Sequence, residues 1–253
     1  MKANKVLILL LCFMYIANQL LSQQKRINIV TFNYPPYMVN DNGSISGMFV
    51  EIVEEVFNRL KKPISIQFYP GLRSFLMMQN SEVDGFFSVK KTPEREKTML
   101  FPHEALLKQD YVIFKSIDSD FQFDGDVRSL QKVRIGVINE MSYGSIFDKA
   151  VKDGIIVNID SSPTFEVIFQ KLIAKRMDVV ISSKNVGISL IKKYGYQDKI
   201  IICGPPLETV ESFIVFKHTP AGKQLSDSFD RVINDMKKDG TLIQIQRKYE
   251  QKP

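Results

Sequence analysis

Between Gly47 and Lys61, apolar residues return every three or four positions. Met48, Phe49, Ile52, Val53, Val56, Phe57 and Leu60 form one stripe, and Glu51, Glu54 and Glu55 stand off it. That spacing predicts an amphipathic helix. Arg59, Lys61 and Lys62 gather at its C-terminal end, where the helix dipole favours cations, and Pro63 stops it. Around it, short β-branched and aromatic runs read differently. Ile27–Thr31, Ile64–Tyr69 and Val83–Ser88 predict strands, with a short helix over Leu72–Asn80. Strands alternating with helices predict a mainly parallel α/β sheet.

The pattern then recurs. Val133–Ile138, Ile155–Ile159 and Val179–Ser182 predict strands, separated by helices over Ser145–Lys152 and Thr164–Arg176. Asp84-Gly85-Phe86-Phe87-Ser88 and Asp178-Val179-Val180-Ile181-Ser182 close the two halves alike: Asp, three further residues, then Ser. Two lobes of similar design follow. Asp110–Lys115 and Ser212–Lys217 are matching extended runs that suit two straps between them. Ala221–Tyr249 is amphipathic and mostly helical, broken at Gly240. The expected division is lobe 1 at residues 23–113 plus 214–253, with lobe 2, residues 114–213, inserted. Two strap strands make a hinge, and a cleft between lobes is the natural ligand site.

Residues 1–22 stand apart from this pattern. Lys2 and Lys5 precede an apolar run from Val6 to Ala17, and cleavage after Ser22 would fit a secretory signal peptide. An uncleaved N-terminal anchor is the alternative. Removing the leader would take Cys12 and leave Cys203 as a lone cysteine, so no internal disulfide is expected. His103 and His218 are isolated, and no Cys/His cluster has metal-ligand spacing. The net charge of +6 is spread along the chain without a basic block. That argues against nucleic acid as a partner. No catalytic triad, phosphate loop or nucleotide fingerprint is present, and no cofactor is expected.

Five segments in order resemble the family-3 extracellular solute-binding proteins, the amino-acid-binding type of ABC transporter. They are Tyr34-Pro35-Pro36-Tyr37, Gly43–Phe57, Asp84–Arg95 ending Thr92-Pro93-Glu94-Arg95, Ile135-Gly136-Val137 with Ser142, and Lys238-Asp239-Gly240-Thr241-Leu242. The resemblance implies a type II periplasmic-binding fold that grips a small molecule, usually an amino acid, from both lobes. It also implies a periplasmic monomer that hands ligand to an ABC-type permease or a membrane sensor.

On that resemblance Arg95 grips the ligand carboxylate. Thr92 and Pro93 suit the start of a short helix that would fix its direction, and a guanidinium offers a carboxylate two parallel hydrogen bonds. Tyr34 either lies against the ligand, stiffened by Pro35-Pro36, or packs in the core. Ser88 and Ser142 match positions that supply hydroxyl and backbone groups, and Asn139 lies beside them. Ser183 stands where amino-acid binders usually carry an acid for the ammonium, followed by Lys184. Glu140 and Glu208 are possible substitutes. Arg73, Lys90 and Lys91 lie near the ligand loops, which favours carboxylate or other anionic character over an ordinary α-amino acid; the expected ligand is an amino acid or related small carboxylate. Two alternatives remain: a cyclohexadienyl-dehydratase-like enzyme on the same fold, and an orphan sensor without a transport role.

Overall fold

The strand Ile27–Thr31 (β1) opens a computed structural model that describes residues 26–249. The expected leader, with Cys12, lies outside the described residues. A Tyr34–Met38 loop leads to a hairpin of Val39–Asp41 (β2) and Ser44–Ser46 (β3), turning at Asn42-Gly43. The helix Met48–Arg59 (α1) follows, and its predicted stripe is buried from Met48 to Phe57. Fully burying each such side chain contributes about 1.5–3 kcal/mol. Gly47, at φ 120°, starts α1 where a Cβ would stand 2.4 Å from the Tyr37 carbonyl oxygen. Only glycine lets the loop lie on the helix start this closely.

Next come Ile64–Phe68 (β4), Gly71–Gln79 (α2), Gly85–Val89 (β5), Pro93–Glu96 (α3) and Met99–Leu100 (β6). The chain then crosses on the long strand Leu107–Ser116 (β7) and passes a 3₁₀ turn at Val127–Lys132. Ile135–Ile138 (β8), Ser145–Lys152 (α4), Ile159–Ser162 (β9), Phe165–Ile173 (α5) and Val179–Ser183 (β10) build the second half. Lys184–Tyr194 (α6) and Ile200–Ile202 (β11) complete it. The strand Glu208–Lys217 (β12) returns, and the helices Pro220–Lys238 (α7) and Thr241–Tyr249 (α8) finish the chain.

The strand order is β4-β1-β5-β12-β7-β10-β8-β9, with β6 added to β12 and β11 to β7. β1 pairs parallel with β4 and β5 on one side, and β8 pairs parallel with β9 and β10 on the other. At the waist, β7 and β12 run antiparallel over Leu107–Tyr111 and Glu208–Ser212. Beyond it β12 pairs with β5 through Phe213–Phe216, while β7 pairs with β10 through Tyr111–Lys115. The ribbon lies just ahead of the expected strap segments, which continue from it into the two halves: Tyr111–Lys115 along β10 and Phe213–Phe216 along β5. The largest hydrophobic cluster is continuous through the waist, from Phe49 and Phe57 of α1 to Phe114 of β7 and Phe169 of α5.

The expectations fail at three places. The strand expected at Ile155–Ile159 lies instead at Ile159–Ser162, because the Ile155 and Ile156 amides turn back onto the Ala150 carbonyl and bury Ile156 as a loop. The strand expected to end at Ser182 runs through Ser183 and passes directly into α6. The β2–β3 hairpin was not anticipated, although Asn42-Gly43 is a strong hairpin-turn dipeptide.

Candidate ligand-binding cleft

A cavity of about 1320 Å³ opens between the halves. This exceeds the roughly 300–1,000 Å³ of ordinary small-molecule pockets. Its first wall comes from the loop after β1, the start of α2, and the end of β5. Its second comes from the loop after β8, the start of α5 and the end of α6, where Leu190, Lys193 and Tyr194 reach it.

On the first wall the geometry begins with a bulge. β12 pairs Phe213 with Val89 and Ile214 with Phe87, which leaves Ser88 between them without a partner position. Ser88 has φ 72°, a conformation uncommon outside glycine, and it lines the cavity. Bulges of this kind re-aim a side chain and end strand pairing. The chain therefore leaves β5 toward the cleft, carrying Lys90. Two residues later Thr92 caps α3, its hydroxyl accepting from the Arg95 amide at 3.3 Å, with Pro93 in the first turn. Arg95 is thereby aimed into the cavity. Its guanidinium donates to the Lys90 carbonyl at 3.1 Å and to the Glu140 carbonyl, across the cleft, at 3.5 Å. Its carbon lies 5.2 Å from the Phe75 ring centre. Burial pulls its pKa down, against the pull of Asp148, Glu140 and Glu94. A desolvated guanidinium of this kind has much to gain from a carboxylate.

Tyr34 lines the cavity but is only 1% exposed. Its ring packs 5.4 Å from Phe165 of the second half and 5.6 Å from Phe32, and its hydroxyl bonds Tyr111 at 2.9 Å. Burial raises its pKa well above the ordinary value, so the hydroxyl stays protonated and can donate. Tyr34 is thus packed in the core on one side and forms part of the cleft floor on the other.

The second wall holds Asn139, Glu140 and Ser142 in the loop after β8. Glu140 takes φ 57°, a second strained residue facing the same cavity. The Ser142 hydroxyl donates to Asp148 at 2.5 Å, and the same carboxylate accepts the Tyr143 amide at 2.9 Å. Ser142 therefore presents its backbone carbonyl, rather than its hydroxyl, to the first wall.

Five of the seven residues expected at the site, Tyr34, Ser88, Arg95, Asn139 and Ser142, line this one cavity. The other two do not. Ser183 is buried at the end of β10 with its hydroxyl 3.5 Å from Tyr37 Oη. Arg73 is exposed on α2 and stacks 4.6 Å from the Tyr69 ring. Of the two carboxylates considered for the ammonium, Glu140 reaches the cavity. Glu208 is turned away to the start of α4, accepting from Ser145 Oγ at 2.7 Å and the Ile146 amide at 2.9 Å.

Two important lining residues went unassigned in the sequence. Phe165 had no signal beyond its place on a helical stripe. Lys90 was visible as a charge beside a ligand loop, but a solvated lysine would look the same.

The family model for bacterial extracellular solute-binding proteins, family 3, matches residues 27–252. The chain belongs to that family. The probable amino-acid-binding protein YxeM of Bacillus subtilis (strain 168) is 24% identical over 217 residues, 85% of this chain and 79% of that protein. An ancestral arginine-binding protein bound to arginine has TM-score 0.77 at 19% identity, covering 89% of this chain and 98% of its own. A histidine kinase sensor domain with similarity to periplasmic binding proteins has TM-score 0.79 at 15% identity, covering 90% and 96%. At these identities the structural likenesses establish the fold, the two-lobed type II arrangement of a family-3 binding protein. The family is one of extracellular solute-binding proteins.

Proposed function

We propose that this family-3 protein captures an amino acid or related small carboxylate between its lobes, without chemistry of its own, and passes it to an ABC-type permease or a membrane sensor. The periplasm is the compartment that suits this role. The observation that carries the reading is Arg95, capped into position by Thr92, half-buried, and with its guanidinium donating, among the described residues, only to backbone carbonyls. A guanidinium has five N–H donors, so donors remain for a carboxylate. Lobe 1 in this reading is residues 23–113 plus 214–253 and lobe 2 is residues 114–213, with β7 and β12 as the hinge. Ligand bound to both walls would favour the closed lobes, and the closed surface is what a membrane partner would read.

The test is thermal unfolding of the protein against a panel of amino acids, polyamines and small organic acids. A ligand of the folded state raises the transition temperature as its concentration rises. The expected result is a rise with one or more carboxylates that disappears in Arg95→Ala. A panel without any rise, or one unchanged in Arg95→Ala, would refute the reading.

A further inference from the structure

The cleft holds a second cation, placed unusually for a lysine. Lys90 is 6% exposed. Its ammonium donates to the Ser142 carbonyl across the cleft at 2.6 Å and sits 3.3 Å from the centre of the Tyr111 ring. The Tyr143 ring is 5.7 Å away. Lysine has a long flexible stem that ordinarily carries its charge back to water. This one stays inside, and burial lowers its pKa well below the ordinary value. An ammonium has three N–H donors. Among the described residues, Ser142 supplies its one hydrogen-bond acceptor, and the Tyr111 face supplies a weaker contact.

Charge balance makes the position more informative. Among the described residues, no carboxylate forms an ion pair with Lys90 or Arg95. Asp148 is the acid that influences both, yet its oxygens already accept from Ser142 Oγ and the Tyr143 amide. Glu208, the other acid acting on Lys90, is committed to the start of α4. The nearby Arg95 meanwhile makes Lys90 costlier to keep charged. One carboxylate on Arg95 would answer one of these cations. The second remains, and it points at the same cavity.

The acceptors now holding the two cations suggest the shape of what replaces them. Arg95 and Lys90 reach the carbonyls of Glu140 and Ser142, two residues apart on the opposite loop. Resting on the binding reading above, we infer that Lys90 contacts the ligand directly and that the ligand is a small dicarboxylate. One carboxylate is held by Arg95 and the second takes the ammonium of Lys90, which releases the Ser142 carbonyl or shares it.

Matched probe pairs test this by calorimetric titration: L-glutamate against L-glutamine, and glutarate against its monoamide. The wild type is expected to prefer the dianion in at least one pair. Lys90→Met should weaken that dianion by about 30-fold or more and the matched monoanion by no more than about 3-fold. Lys90→Gln, which keeps a donor for the Ser142 carbonyl without the charge, should behave like Lys90→Met and guards against a folding effect. Arg95→Ala should lose both members. Equal binding within each pair, a preference that survives in Lys90→Met, or no binding of any of the four probes would overturn the dicarboxylate inference. In each of those cases the broader panel still reports separately on the binding reading.

Discussion

The two lobes begin alike and part at one residue. In lobe 1 the Asp84 carboxylate accepts the Asn28 amide at 2.9 Å, and in lobe 2 the Asp178 carboxylate accepts the Arg134 amide at 2.7 Å. Each pins the start of one parallel strand to the turn before the next. Each is followed by three buried residues and a serine. Then the paths diverge. Ser88 takes a positive φ and bulges out of the pairing with β12, which resumes for Val89 alone before the chain enters the cleft with Lys90 and Arg95. Ser182 is fully buried with its hydroxyl unpartnered, and β10 continues into α6. The same short pattern thus leads to a cleft wall carrying Lys90 and Arg95 in one lobe and to a packed strand-to-helix turn in the other. Lobe 2 meets these cations with the Glu140 and Ser142 carbonyls, and its Glu140 and Glu166 side chains line the same cavity.

On that division the largest effect belongs to lobe 1. Arg95→Ala should weaken carboxylate binding by about 100-fold or more, whereas Asn139→Ala on the opposite wall should change it by about 3-fold at most. Thermal shift with the best ligand of the panel compares the two. A larger loss from Asn139→Ala would reverse the assignment of the walls.

The packed alternative in lobe 2 can be broken at Gly187 of α6. A Cβ there would stand 2.1 Å from the Phe114 ring, so Gly187→Ala should cost about 2–3 kcal/mol. Denaturant unfolding reads this. An unchanged midpoint would mean that α6 is not held against β7 as described.

Smaller effects sharpen the comparison of charges. The Arg134 guanidinium, bonded at 2.7 Å and 3.1 Å, holds the Asp178 carboxyl below the usual aspartate range. A depressed carboxyl stabilises the fold above its unfolded pKa and loses that contribution as pH falls through the folded one. Allowing for solvent screening at this partly exposed pair, Asp178→Asn should cost about 1 kcal/mol at neutral pH, with the difference from wild type shrinking below about pH 4. Denaturant melts at several pH values check it, and a pH-independent difference would contradict the ion pair.

Lys90 has the opposite sign. Its lowered pKa means the charged form disfavours folding, and that penalty fades as pH rises toward the ordinary lysine range. Lys90→Met should therefore raise the ligand-free transition by about 1 kcal/mol at neutral pH, with the advantage narrowing in alkaline buffer. A destabilised variant would make Lys90 a structural residue.

Much of the architecture could be read from the residues, because period and punctuation carry it. The α1 stripe, the Thr92-Pro93 cap, the paired Asp-to-Ser segments and the two straps each depend on a few neighbouring positions. What escaped depends on contacts between distant segments. Ile155–Asn158 has strand-forming residues, but the Ala150 carbonyl captures its first amides. Ser183 and Arg73 sit close in sequence to cleft-forming segments, yet packing turns one inward against Tyr37 and leaves the other outside against Tyr69. Lys90 was legible as a charge and illegible as a buried one, because its burial comes from Tyr111 and the Ser142 carbonyl on other strands and loops.

Titration calorimetry of the wild type and Arg95→Ala, side by side with the strongest ligand from the panel, tests the central claim most directly. The account predicts one saturable site per wild-type chain and no measurable heat of binding in a variant that still melts cooperatively. Matching isotherms for the two proteins would contradict it and place the binding site away from Arg95.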